Sequence, residues 1–293
     1  MTNLVINWHI TEACNYQCFY CFAKWRKDEY KELIHTEENI LKLMKEISLL
    51  PAILNNREGT SFTGVRLNLV GGEIFLYKQK ILKIIKEAKN YQFELSAITN
   101  GSLIDNNLID LLANNFSSIG FSIDSLSPDI NKNIGRSTKK VPVNPEDILS
   151  KIKKLKSSNP MLDIKINTVV NELNKLETLD DFIREAAPSK WKIFKMLPVY
   201  TNKFSITDGD FYNYIDRLSE FNNIISSENN EEMTESYLMI DPIGRFFQNS
   251  PNNNGYLYSQ SILEDGIEFA LSEINFDIKK FAKRSKLINS ISV

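Results

Sequence analysis

Cys14, Cys18 and Cys21 are the only cysteines of the chain, and they stand together in Cys14-Asn15-Tyr16-Gln17-Cys18-Phe19-Tyr20-Cys21-Phe22. A C-x3-C-x2-C run on a short loop after a strand can turn all three sulfurs toward one inorganic centre. A tetrahedral zinc or a four-iron cluster wants four ligands, and cysteine supplies only three here. In an iron-sulfur cube that shortage leaves one iron open to a small molecule. The rings of Tyr20 and Phe22, on either side of Cys21, would shield such a cluster from water. On spacing alone the run also fits structural zinc completed by His9 or His35, a disulfide pair with one spare thiol, or unrelated buried thiols.

Gly71-Gly72-Glu73 closes an alternating apolar run. Two glycines let the backbone come close to a ligand, and the carboxylate is free to accept from an ammonium group. The same three residues also make an ordinary turn. A third set is cationic: Lys190 and Lys192 alternate with Trp191 and Ile193, so both point to one face of a strand. On an interior face two ammonium groups would need an anion to pair with, whereas on an exterior face they would simply be solvated.

These residues need a scaffold, and composition allows one. A chain of 293 residues with 42% hydrophobic content can bury a sizeable core in one large or two small domains. Net charge is -2 with lysine and arginine spread throughout, so no global field points to nucleic acid or a membrane. No apolar run reaches membrane-spanning length, and Met1 to Ile10 lack the features of a signal peptide, which implies a cytoplasmic protein. Clustered cysteines in odd number in a reducing compartment favour metal ligation over disulfides.

The hydrophobic pattern gives the positions of the elements. Leu4 to Ile10 reads as a first strand ending at the cysteine loop. A helix follows from about Thr36, an N-cap candidate, through Ile40, Leu43, Met44, Ile47 and Leu50. Val65 to Val70 is the second strand, followed by a helix on Ile81, Ile84 and Ile85. Phe93 to Thr99, Ser118 to Ile123, Met161 to Val170 and Lys190 to Leu197 are further strands. Leu103 to Leu112 and the Lys-rich stretch through Ile148, Ile152 and Leu155 read as helices, with Asn131 to Pro145 as a polar loop. Asp208 to Phe221 is a helix leading to an acidic, Asn-rich loop. A short strand Tyr237 to Asp241, an amphipathic segment Ile262 to Leu271 and a basic end complete the chain. Strand and helix alternate about six times with short connections, which predicts an α/β fold with a parallel sheet. In such folds active groups gather beyond the carboxyl ends of the strands. The cysteine run, Gly71 to Glu73, Asn100-Gly101 and Asp124-Ser125 all fall there.

The cysteine run matches the radical S-adenosylmethionine (SAM) signature C-x3-C-x-aromatic-C, and further motifs follow in order along nearly the whole chain. Asn7-Trp8-His9-Ile10-Thr11, Gly71 to Leu76, Thr99 to Ile104, Ile123-Asp124-Ser125 and Ile134-Gly135-Arg136 resemble the viperin-like family of radical SAM enzymes. So do Ile164 to Asn167, Trp191 to Phe194, Ser236 to Asp241 with Arg245-Phe246, and Ser261 to Gly266. The resemblance implies a partial (β/α)6 barrel of the radical SAM type over residues 1–200. Residues 201–293 would be a C-terminal extension packed on the barrel and helping to close the nucleotide site.

It implies two cofactors, a [4Fe-4S] cluster held by Cys14, Cys18 and Cys21, and SAM chelating the open iron. Gly71, Gly72 and Glu73 would hold the amino group of SAM, with Asn100, Ser122 and Asp124 at its ribose and carboxylate. The implied activity is dehydration of a ribonucleoside triphosphate to its 3'-deoxy-3',4'-didehydro form in antiviral defence, with CTP favoured and UTP or GTP as alternatives. Asn7, Lys165 and Lys192 would contact the substrate, Arg136 and Arg245 would assist at the phosphates, and Lys190 stands where vertebrate members have Arg. Tyr237 is the candidate proton donor. A flavodoxin or ferredoxin would supply electrons to a monomer with no membrane or nucleic-acid partner. The family's Gly-Gly-Lys-Tyr near the C-terminus corresponds to Arg284-Ser285-Lys286-Leu287, so the same tail conformation is not implied. The rival readings are a cofactor-building or peptide-modifying radical SAM enzyme, for whose auxiliary clusters no cysteine remains, and a non-catalytic zinc-binding interaction module.

Overall fold

The computed structural model describes residues 3–23, 31–138, 141–198, 201–249 and 256–285. The asparagine run Asn252 to Asn254 and the Lys286-Leu287 part of the tail motif lie outside them. The strands are β1 Asn3–His9, β2 Gly64–Val70, β3 Glu94–Thr99, β4 Ser118–Ser122, β5 Asp163–Val170, β6 Lys190–Lys195, β7 Ile225–Glu228, β8 Leu238–Ile240, β9 Arg245–Asn249 and β10 Tyr256–Ser261. Each of β1 to β6 is followed by at least one helix, so the expected α/β alternation is present.

The described residues group into two compact units, and the grouping follows strand pairing rather than chain order. One unit comprises the described residues within 1–13, 25–96 and 232–293, the other those within 14–24 and 97–231, with the division falling inside β3.

In the first unit β1 is flanked in parallel by β2 and β8, and β8, β9 and β10 continue as an antiparallel series. The C-terminal residues therefore join the first strand. Leu4, Ile6 and Trp8 are fully buried and alternate with the half-buried Val5 and Asn7, so one face of β1 is apolar and the other carries polar groups. The helix Glu37–Glu58 packs on β2 and on the helix Lys78–Asn90, burying Ile40, Leu43, Met44, Ile47 and Leu50. Thr36 does occupy its N-cap, but its side chain makes no capping hydrogen bond. The segment Ile262 to Leu271, expected as one amphipathic stretch, breaks at Gly266 (φ 83°) into the short helices Ile262–Asp265 and Ile267–Ser272.

The second unit has β4, β5, β6 and β7 paired in that order, all parallel. Ile119, Phe121, Ile164, Ile166, Trp191 and Ile193 are buried on one face. Ser122, Lys165, Asn167, Lys190, Lys192 and Glu228 share the other, because partners in register project the same way. The helix Pro145–Ser158 buries Ile148, Ile152 and Leu155 and packs against the helices Asn106–Asn115 and Asp180–Ala186.

Three expectations change here. The loop from Asn131 begins inside a helical turn, Pro128–Asn133, because Ser127 accepts from the Ile130 N–H and Pro128 suits a first helical turn. The helix through Phe221 ends at Asp216. The acidic stretch beyond it contains β7, a strand made by pairing with β6 rather than by its own apolar content. No helix among the described residues is long and apolar enough to cross a membrane.

Candidate functional site

The cysteine loop is fixed by its own unit before any ligand is considered. The Gln17 N–H donates to the Gly135 carbonyl at 3.0 Å and the Phe19 N–H to the Ile134 carbonyl at 3.1 Å. These bonds require glycine at 135, since a Cβ there would lie 2.1 Å from the Gln17 carbonyl oxygen, at φ +82°. Tyr20 packs with Ile134, Met196 and Phe204, and Cys18 lies against this cluster. The Tyr20 hydroxyl donates to Asp124 Oδ2, which also accepts from Arg136 Nη1 at 3.0 Å. Asp124 Oδ1 accepts from the Val169 N–H at 2.8 Å, and Arg136 donates further to the Ser122 carbonyl.

Asp124 and Arg136, expected at SAM and at a phosphate, are paired with each other in this structure. A carboxylate 2% exposed and a guanidinium 5% exposed need partners, and the structure joins them to each other beneath the loop. Burial raises the Tyr20 phenol well above its usual range, and the charge of Asp124 adds to the shift. Arg136 is held firmly protonated by Asp124 against the opposing effect of burial, which is the larger single influence.

Around Cys14 the side chains are polar. Asn100 Nδ2 donates to Asn15 Oδ1 at 2.9 Å and lies 4.0 Å from Cys14 Sγ, while Asn100 Oδ1 accepts from the Ser102 N–H and hydroxyl. The Cys14 sulfur also accepts from the Tyr16 N–H at 3.4 Å. None of the three thiols is in a disulfide, and Cys14 is exposed while the other two are half-buried. Burial pushes the Cys18 thiol up to about 12, Arg136 pulls it down, and the charges of Cys21 and Cys14 both reach it. Three thiols on one braced loop, with no fourth cysteine in the chain, fit a four-iron cluster with an open corner. A single zinc would draw its ligands much closer together, and among the described residues no three His, Cys, Asp or Glu side chains converge for one ion. His9, a proposed fourth zinc ligand, is buried with its ring edge-on to Phe247 at 5.0 Å.

The polar face of the same unit carries the lysines. Lys165 and Lys190 are register partners, as are Asn167 and Lys192. Lys192 meets Glu228 at 2.8 Å and lies 4.7 Å from the centre of the Phe194 ring. Glu228, 4% exposed, was not legible as a site residue, because it sits in what the sequence presents as a polar loop.

In the first unit Gly71 and Gly72 have a reason to be glycine in the chain itself. A Cβ on Gly71 would lie 2.5 Å from the Thr11 carbonyl oxygen and one on Gly72 2.1 Å from that of Ala13. The Gly72 and Glu73 N–H groups donate to these same carbonyls at 2.8 Å, so the segment leading to the cysteines runs along the Gly-Gly turn. Glu73, completely buried, accepts from the Phe75 N–H at 3.2 Å and starts the turn Ile74–Tyr77. Arg245 is clamped by Asp241 through Nε at 2.9 Å and Nη2 at 2.6 Å, and its guanidinium lies 4.2 Å from the Tyr258 ring centre. Tyr237, half-buried, directly precedes β8, and its carbonyl accepts from Gln248 Nε2 at 3.2 Å. Asn7 lies midway along β1, opposite Asn68 and Met239.

Residues 8–186 match the model of the Radical SAM superfamily. A protein of Psychrobacter lutiphocae named S-adenosylmethionine-dependent nucleotide dehydratase is 55% identical over 97% of this chain and 95% of its own length. One of the same name from a Fibrobacter species is 40% identical over 96% of this chain and 87% of its own. A rainbow trout (Oncorhynchus mykiss) relative, S-adenosylmethionine-dependent nucleotide dehydratase RSAD2, is 28% identical over 95% of this chain and 78% of its own. Among solved structures, native anSMEcpe with bound AdoMet superimposes with a TM-score of 0.62 at 16% identity, over 98% of this chain and 82% of that one. Streptococcus suis SuiB bound to S-adenosylmethionine gives a TM-score of 0.62 at 16% identity, over 96% and 67%. At these identities the likeness shows a shared fold.

Proposed function

Because the chain belongs to the radical SAM superfamily, and within it to the viperin-like S-adenosylmethionine-dependent nucleotide dehydratases, we propose that its substrate is a ribonucleoside triphosphate. CTP is the first choice, with UTP and GTP as alternatives, the product is the 3'-deoxy-3',4'-didehydro nucleotide, and the role is defence against viruses. The reading is supported above all by a loop bearing three thiols and no fourth, in the same unit as a polar face carrying Lys165, Lys190 and Lys192. An acidic chain has no general attraction for a polyanion, so binding one needs such a local cluster.

Cys14, Cys18 and Cys21 would hold the [4Fe-4S] cluster, and Gly71 to Glu73 with Asn100 and Ser122 would hold SAM. When bound, these cofactors together supply one electron and a hydrogen-abstracting radical. The chain's own residues bind and orient. Lys165, Lys190, Lys192 and Arg245 take the triphosphate, and Asn7 contacts the nucleotide. Tyr237 gives a proton to the departing 3'-oxygen. The balance is loss of the 4' hydrogen atom, departure of the 3' hydroxyl as water with that proton, and entry of one electron as the 3',4' double bond closes. A one-electron donor of the flavodoxin or ferredoxin class would supply the electrons.

Reconstituted enzyme incubated with SAM, dithionite and each of the four triphosphates in turn provides the test. Formation of 5'-deoxyadenosine with only one or two of them, with a nucleotide product lighter by one water, is expected. Equal SAM cleavage across all four would count against the proposal. Tyr237→Phe should lower product yield, and full yield would remove Tyr237 from the scheme.

A further inference from the structure

A row of three polar side chains crosses the first unit's strands at the level of Asn7. The Ser96 hydroxyl donates to Asn68 Oδ1 at 2.9 Å, and Asn68 Nδ2 donates to Asn7 Oδ1 at 2.8 Å. Both bonds run in one direction, from Ser96 toward Asn7. They lie on the face of β1 and β2 opposite the fully buried Leu4, Ile6, Leu67 and Leu69. Nothing in the reading of Asn7 as a nucleotide contact requires Asn68 or Ser96.

The direction of the row matters because an asparagine side chain has two unlike ends. One presents a carbonyl that accepts, the other an NH2 that donates. Rotating both amides by half a turn would keep two hydrogen bonds but reverse them, with Asn7 Nδ2 directed at Asn68 and its carbonyl turned outward. Ser96 decides between the two. It is 4% exposed, and its hydroxyl donates to Asn68. Reversal would convert it to an acceptor and leave a buried O–H proton without this partner, which costs more than an average hydrogen bond gains. On the other side of Asn7 the register partner is Met239, whose thioether is too weak an acceptor to impose an orientation.

We infer that Ser96 and Asn68 are positioning residues that fix the Asn7 amide with its oxygen inward, so that Asn7 offers an N–H donor to an oxygen of the bound nucleotide. The inference rests on Asn7 contacting the nucleotide, as proposed above. It adds a polarity, so the group opposite Asn7 must be an acceptor, such as a ribose hydroxyl oxygen or a phosphate oxygen.

A double-mutant cycle tests it on the equilibrium binding of CTP to cluster-loaded enzyme with SAM and no reductant, with thermal unfolding followed in parallel. Asn7→Ala should weaken binding about tenfold, the size of one hydrogen bond in a polar site. Ser96→Ala alone should weaken it about threefold by letting the amide reverse, and should have no further effect in the Asn7→Ala background. Asn68→Asp provides an independent variant, since a carboxylate can only accept and must draw the Asn7 NH2 inward. It should weaken CTP binding at least as much as Asn7→Ala. The side-chain amide resonance of Asn7 should shift on CTP addition in the unsubstituted enzyme and not in Asn68→Asp. Equal losses from Ser96→Ala with and without Asn7 would overturn the positioning role while leaving the nucleotide reading intact. Unchanged affinity in Asn7→Ala would overturn the contact itself, and this inference with it.

Discussion

Arg136 and Asp124 form a buried ion pair, Nη1 to Oδ2 at 3.0 Å, and the same carboxylate oxygen accepts from the hydroxyl of Tyr20, the residue before Cys21. The brace on the cysteine loop is therefore a charged network with almost no solvent contact. Removing one member leaves another charge buried without its partner. Asp124→Asn should cost about 3–5 kcal/mol in urea unfolding, and Tyr20→Phe, which removes only a hydrogen bond to a charged acceptor, about 1.5–3 kcal/mol. Asp124→Asn should also lower the iron content of reconstituted protein, and full stability together with full iron loading would refute the bracing role.

Two glycines of left-handed conformation separate strain from collision. A Cβ added to Gly59 (φ +65°) would meet no atom within 4 Å, whereas one added to Gly135 (φ +82°) would lie 2.1 Å from the Gln17 carbonyl oxygen. Gly59→Ala should lose about 1–2 kcal/mol, the cost of the backbone conformation alone. Gly135→Ala should lose that and about 1–3 kcal/mol more, because the cysteine loop must move. Equal losses measured by denaturant titration would show that the loop yields freely.

His9 gives the fold an acid-sensitive core. Burial lowers its imidazole from the usual 6.5 to about 3, so the folded protein keeps it neutral where the unfolded chain protonates it. The unfolded state thus binds more protons between pH 6.5 and 3, and stability contributed by His9 is full above that window and lost as pH falls through it. The slope is up to about 1.4 kcal/mol per pH unit. His9→Gln should show a shallower fall in unfolding free energy across that window, and superimposable pH profiles would disprove the assignment.

Lys192 and Glu228 should behave as a unit. Lys192→Met leaves the Glu228 carboxylate buried without this partner and should cost about 3 kcal/mol or more, while adding Glu228→Gln should restore part of that loss. Nucleotide binding should distinguish a second role for Lys192, since the double variant should regain stability without regaining CTP affinity. Recovery of both together would confine Lys192 to a structural task.

The repeated unit of strand and helix was legible because its apolar residues recur at the periods of about 2 and 3.6 that those elements impose, as in Leu4 to Ile10 and in Ile40 to Leu50. What hid β7 was composition: Ile225-Ser226-Ser227-Glu228 has no apolar alternation, and it becomes a strand through its ladder with β6. The three cysteines and the lysines of β5 and β6 could be picked out from spacing and residue type. The partners that hold them could not. That Tyr20, Asp124 and Arg136 join in one network, and that Glu228 lies on a strand beside Lys192, depends on packing between residues far apart in sequence. Gly71 and Gly72 were recognised as a tight approach, and the approach of the chain's own Thr11 to Ala13 backbone was not foreseen.

The parallel pairing of β8 with β1 has a consequence for biosynthesis. β1 is completed on one side by a segment translated more than two hundred positions later, so it waits at the ribosome with the amides and carbonyls of Ile6 to Trp8 exposed along one edge. The other unit draws nearly all of its residues from the continuous stretch 97–231 and can consolidate while translation continues. A premature stop before residue 238 would leave that waiting edge permanently open and ready to recruit strands from other molecules, yielding aggregates rather than a shortened soluble enzyme.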